Sequence, residues 1–165
     1  MNKFFIYFIF LIFTFCSNVF SFEGECYFEE VYKNGEVQNG FFIISNNSMR
    51  YEYFDKKLFT IVYLDNVFYL IENNNKNNIE IINDKRVEFF KNIVGIIQNY
   101  PNIDNLIKVN NYEIIIDKGI NSYLPKRLVI KSNNINLNIY LNGCTFKPIN
   151  KLFFNVNPLF EYNLK

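Results

Sequence analysis

From Cys26 onward the chain keeps one rhythm: short runs of alternating apolar and polar residues, each closed by Asn, Asp or Gly. A period of two sends successive side chains to opposite faces of a strand, so this rhythm commits the chain to sheet. Residues 48–54 show it, with Met49, Tyr51 and Tyr53 on one face and Arg50 and Glu52 on the other. The turn chemistry agrees. Asn34-Gly35 is a strong hairpin signal, Asp65-Asn66 fits a two-residue hairpin loop, and Asn142-Gly143 reads as a further hairpin turn. Strands are expected over 26–32, 40–44, 48–54, 58–64, 67–71, 79–82, 112–117, 126–131, 135–141 and 152–156. In 135–141, Ile135, Leu137, Ile139 and Leu141 share a face and Asn136 and Asn138 face away.

The period changes once. Over 85–99 the apolar residues Val87, Phe90, Val94 and Ile97 step by three and four, and Ile93 and Ile96 widen the stripe, which is one face of a helix. Asn83-Asp84 can cap its start, and Tyr100-Pro101 ends it because the residue before Pro avoids the α region. Residues 103–108 read as one further helical turn. The chain has no Ala, the best helix former, which argues against a helix bundle. The fold expected is therefore mainly β (α+β): a curved antiparallel sheet forming an unclosed β-barrel with a covering helix.

Ahead of this body stands a short positive start, Met1-Asn2-Lys3, then an almost wholly apolar run over 4–15, then Ser17, Asn18 and Ser21. This reads as a signal peptide over 1–21, cleaved after about Ser21, with one domain over 22–165. An uncleaved inner-membrane anchor is the alternative, although the apolar run is broken near residue 16, short of a full span. Export leaves Cys26 and Cys144, an even pair that reads as one disulfide. Closing so long a loop is worth about 4–5 kcal/mol on chain entropy. Two unpaired buried thiols are the other reading.

Motifs that carry chemistry are sparse. With no His, catalytic arrangements built on imidazole are excluded. Glu29 and Glu30 are adjacent on a strand, point to opposite faces and cannot share a substrate. Glu52 and Asp55 flank a turn and read as solvated. The six Gly residues form no phosphate loop, and no carboxylates have metal-ligand spacing. Catalytic residues, metal and cofactor are thus all read as none, and the chain as no enzyme. Lys and Arg number 17 against 16 Asp and Glu, so no basic footprint marks nucleic acid as a partner. The basic pairs Lys56-Lys57, Lys85-Arg86 and Lys126-Arg127 read as solvated strand or helix ends. What remains is apolar surface on the sheet beyond what one helix can cover. It is either an ordinary packed core or a pocket for an apolar ligand.

The segments Phe28-Glu29-Glu30, Gly40-Phe41, Met49-Arg50-Tyr51-Glu52-Tyr53, Leu64-Asp65-Asn66 and Phe154-Asn155-Val156-Asn157-Pro158 resemble those of the LolA family of outer-membrane lipoprotein carriers. That resemblance spans most of residues 26–160. It implies a monomeric periplasmic carrier that shields the acyl chains of lipoproteins in an apolar cavity. Cargo would come from an inner-membrane ABC exporter and pass to an outer-membrane acceptor. The physical need is plain, since each buried CH₂ is worth about 0.8 kcal/mol and an acyl chain cannot cross water uncovered. Alternation assigns Met49, Tyr51, Tyr53, Val62 and Ile71 to the cavity lining. Phe90, Val94 and Ile97 join them from the helix, and Phe154 and Val156 from the end of the chain. Two alternatives stay open: a binder of free lipid or another apolar ligand, and a structural or adaptor β-domain with a filled core that uses an exposed sheet edge.

Overall fold

The computed structural model describes residues 23–45, 47–84, 86–119 and 123–156. The expected signal peptide lies outside them. Ten strands are present: β1 (Glu23–Tyr32), β2 (Val37–Ser45), β3 (Ser48–Tyr53), β4 (Phe59–Leu64), β5 (Val67–Glu72), β6 (Ile79–Ile82), β7 (Leu106–Val109), β8 (Tyr112–Lys118), β9 (Pro125–Lys131) and β10 (Asn136–Phe146). One helix, α1 (Arg86–Asn99), separates β6 from β7. The strands form one antiparallel sheet in the order β6-β5-β4-β3-β2-β1-β10-β9-β8-β7. The two edge strands are thus the two that α1 connects. The sheet curves without closing, and α1 packs on its inner face. The fold is mainly β, an unclosed barrel with a covering helix.

Local chemistry sets the corners. Asp65 and Asn66 both take positive φ, 50° and 65°, which a two-residue loop matched to strand twist requires. Asp84 caps α1: its carboxylate accepts from the Arg86 backbone N–H at 2.9 Å, and its carbonyl from that of Val87 at 3.0 Å. Cys26 on β1 and Cys144 on β10 are joined by a disulfide across 118 positions of sequence. The bond ties together β1 and β10, the neighbouring strands at which the β1–β6 and β7–β10 parts of the sheet meet.

Three expectations are corrected. Residues 103–108 do not continue the helix; Leu106–Val109 is edge strand β7, hydrogen-bonded to β8. Its residues alternate between exposed and half-buried, and four residues are too few for that period to stand out from a helical turn. Asn142-Gly143 does not reverse the chain. Strand β10 runs on to Phe146, and its register against β1 shifts between Glu25 and Tyr27. Gly143 takes φ +60° there, so the same residue chemistry that makes a turn makes a bulge. Residues 152–156 are not a strand; Lys151–Phe154 is a 3-10 turn, capped by the Asn150 side chain accepting from Leu152 N–H.

The core has two sides. Phe28, Phe42, Ile44, Met49, Ile61, Phe68, Ile114, Leu128 and Ile130 are buried on the inner face, against Val94, Ile96 and Ile97 of α1. On the outer face of β2 to β5 a smaller cluster forms from Phe41, Ile43, Val62 and Ile71, covered by Ile149 and Phe154. Strand β2 therefore buries Phe41-Phe42-Ile43-Ile44 continuously, as a strand sandwiched on both sides must. Burying a side chain such as Phe154 stabilises by roughly 1.5–3 kcal/mol, so this segment fastens the outer face.

Candidate functional site

Among the described residues the inner face holds one buried carboxylate, Glu30, only 3% exposed. Strand parity puts it there with Phe28 and Tyr32, and Glu29 is exposed on the other side. Three phenols donate to it. Tyr51 reaches Oε1 at 2.7 Å, and Tyr32 and Tyr53 reach Oε2 at 2.6 and 2.9 Å. Tyr51 and Tyr53 stand on β3, two strands from β1. Gly40 on β2 lies between, paired with Phe28 on one side and Tyr53 on the other. A Cβ at Gly40 would run into the Phe28 ring and the Glu52 carbonyl oxygen. The bare backbone lets Phe28 stack on Tyr51, centroids 3.9 Å apart, and meet Tyr53 edge-on at 5.3 Å.

Burial pushes all three phenols well above the ordinary tyrosine range, and the Glu30 carboxylate pushes them further. They therefore stay protonated and serve as donors. Above this cluster is a cavity of about 140 Å³, lined by Met49, Phe59, Ile61 and Ile139 and roofed by Phe89, Phe90 and Ile93 of α1. Among the described residues no group of three or more Cys, Asp or Glu could hold a metal ion.

Of the residues that alternation assigned to a cavity lining, Met49, Tyr51, Tyr53 and Phe90 meet around this space. Val94 and Ile97 are buried in the inner core but do not line it. Val62, Ile71, Phe154 and Val156 sit on the opposite face of the sheet. Strands β4 and β5 are apolar at nearly every position, so parity there could be read either way, and Phe59, Ile61 and Phe68 are the residues that turn inward. The reading of Glu52 as solvated is also corrected. Its carboxylate pairs with Arg50 at 2.6 Å, with side-chain exposures of 17% and 4%. The closing 3-10 turn covers this pair, and Arg50 also donates to the carbonyls of Phe153 and Asn155. Asp55 is exposed, as expected. Glu30 carried no signal beyond its parity, and the tyrosines that satisfy it are 2, 21 and 23 residues away.

A second feature is spread over the sheet. Residues 23–99 hold eight Lys and Arg against twelve Asp and Glu, a net −4; residues 100–156 hold seven against three, a net +4. The net charge near zero thus hides two unlike halves. On the outer face of the second half, Arg127 and Lys131 of β9 alternate with inward Leu128 and Ile130. Arg127 pairs with Asp117 at 3.4 Å and lies 5.9 Å from the centre of the Tyr140 ring. Its Nε is buried with no hydrogen-bond partner. This is not the fully solvated strand end that the dipeptide Lys126-Arg127 suggests.

The fold and site define a class: an unclosed antiparallel barrel with a roofing helix, a satisfied buried carboxylate and one basic half. No family model matches the chain. The chain is similar to the small ribosomal subunit protein uS3m of Monosporozyma servazzii, 30% identical over 142 residues, covering 81% of this chain and 49% of that protein. The chain thus spans about half the length of the curated relative it matches.

That likeness corrects the reading built on the LolA resemblance. The relative is a ribosomal protein and not a lipoprotein carrier. The carrier function falls with it, as do the periplasmic address, the lipoprotein cargo, the exporter and outer-membrane partners, and the exclusion of nucleic acid. The segments behind the resemblance are strand and turn patterns, which recur wherever an antiparallel sheet needs the same corners. The cavity agrees with the correction, because about 140 Å³ is well below the roughly 300–1,000 Å³ of sites that enclose a larger ligand.

Proposed function

We propose that this chain is a non-catalytic assembly module that docks on single-stranded RNA through the outer face of β8, β9 and β10. The observation that carries the reading is the segregation of charge, with a net +4 on residues 100–156 against −4 on residues 23–99. A neutral chain can attract phosphate only where its cations locally outnumber its acids, and residues 100–156 carry that excess, although Arg127 and Lys131 stand opposite Asp117 and Glu113 on β8. Arg127 and Tyr140 supply a cation beside an aromatic ring, the combination on which unpaired bases and their phosphates rest. The likeness to a protein of the small ribosomal subunit supports the same partner class.

The test is fluorescence anisotropy of a labelled oligouridylate, titrated with the protein at several salt concentrations. Binding should weaken linearly in log–log form as salt rises. The double reversal Arg127→Glu with Lys131→Glu should weaken it by about tenfold or more, whereas Lys56→Glu with Lys57→Glu, in the acidic half, should leave it within about twofold. No binding at low salt, or equal losses from both reversals, would remove the reading.

A further inference from the structure

The Glu30 cluster is independent of that surface and plays no part in it. A carboxylate withdrawn from water is normally matched by a cation, because dipolar donors alone leave its charge uncompensated. Glu30 is 3% exposed, and among the described residues it forms no ion pair. Its three donors are neutral phenols, two on Oε2 and one on Oε1. A carboxylate offers about four acceptor sites, so Oε1 has one left. Glu30 itself lines the cavity of about 140 Å³, and the remaining walls are aromatic and aliphatic, with Tyr51, Phe59, Phe89 and Phe90 among them. An anion at one end of an aromatic box is the arrangement that recognises an ammonium group, by charge and by ring faces together.

We infer that this cavity is a binding site for a small primary amine with a compact apolar body, its ammonium donating to Glu30 Oε1 and its body held under α1 between Phe89, Phe90 and Ile61. The size follows from volume: an apolar cavity of about 150 Å³ accepts a molecule as large as benzene, so one ring or a short alkyl chain fits and a long acyl chain does not. The roof belongs to a single helix whose Phe89, Phe90 and Ile93 are only half-buried, so the ligand reaches the site past α1 without opening the sheet.

The test compares two isosteric probes on the full chain by calorimetric titration and ligand-detected NMR: benzylamine and benzyl alcohol at neutral pH. Benzylamine should bind at least about tenfold more tightly, and Glu30→Gln should erase that preference. Ile93→Phe, which fills the space from the roof and leaves the carboxylate and phenols in place, should abolish binding of both probes. This second variant decides the matter if Glu30→Gln does not fold. No binding of benzylamine, an equal affinity for the alcohol, or unchanged binding in Ile93→Phe would each overturn the inference and leave Glu30 a structural carboxylate. None of these outcomes bears on RNA binding at the opposite face.

Discussion

Strand β3 separates two carboxylates that are withdrawn from water in different ways. On its outer side Glu52 meets Arg50, a full countercharge, under the closing 3-10 turn. On its inner side Tyr51 and Tyr53 reach back over β2 to Glu30, which has hydrogen-bond donors and no cation. The outer pair is two residues apart and was set by alternation alone. The inner cluster needs three strands in register and a glycine between them. An ion pair can be assembled locally and then covered. A phenol-bound carboxylate is assembled only when the sheet is, so it reports on the fold as a whole. It also leaves charge uncompensated, which is a reason to look for a ligand on that side and not on the other.

Alkaline titration breaks the inner arrangement most completely. The phenols of Tyr32, Tyr51 and Tyr53 are raised above their ordinary value by burial and by Glu30. An unfolded chain loses those protons near pH 10. Above about pH 10 the unfolded state therefore binds fewer protons than the folded one, so stability that is complete below that pH drains as pH rises towards the folded values. Absorbance at 295 nm should show a late, steep phase of tyrosine ionisation that coincides with loss of the near-ultraviolet circular dichroism. Full ionisation near pH 10 with the dichroism intact would mean the cluster is open to water.

The outer arrangement is broken by one substitution. Arg50→Ala removes the countercharge and uncovers the Phe153 and Asn155 carbonyls, leaving Glu52 largely buried and unpaired. Losing one partner of a buried pair costs about 3–5 kcal/mol. Urea denaturation should show this loss in full, and Arg50→Met with Glu52→Leu together should recover most of it. A loss below about 1 kcal/mol for Arg50→Ala would place the pair among solvated surface bridges.

These two sites were unequally legible in the sequence. Alternation in residues 48–53 fixed the two faces of β3 and so placed Arg50 and Glu52 together, but nothing local said that a segment a hundred residues later would cover them. The period of three and four in residues 86–99 gave the helix, since its polar and apolar positions differ clearly. In β4 and β5 both faces are apolar, so alternation does not tell inward from outward, and Val62 and Ile71 lie on the outer face. Glu30 was visible only as a parity. Its meaning came from Tyr51 and Tyr53, placed by strand register, and from Gly40, whose missing side chain is the passage between them. The segregated charge was present in the composition all along and was cancelled by counting the chain as one unit.

The smallest effect sharpens the comparison further, because it asks whether Glu30 is a charged acceptor. Tyr51 donates to its carboxylate at 2.7 Å, and Tyr63, buried on the same inner face, donates to the neutral amide oxygen of Asn66 at 2.9 Å. Removing one hydroxyl by Tyr→Phe leaves the ring and its packing in place, so the two variants differ in the acceptor left behind, a buried carboxylate in one and an exposed turn amide in the other. A hydrogen bond to a charged group is worth about 1.5–3 kcal/mol and one to a neutral group about 0.5–1.5 kcal/mol. Tyr51→Phe should therefore lower stability by about 1 kcal/mol more than Tyr63→Phe at neutral pH. In the Glu30→Gln background the excess should vanish, since an amide oxygen then replaces the carboxylate. Equal losses in the wild-type background would mean that Glu30 is no stronger an acceptor than the Asn66 amide, and the inner face would then need no cation at all.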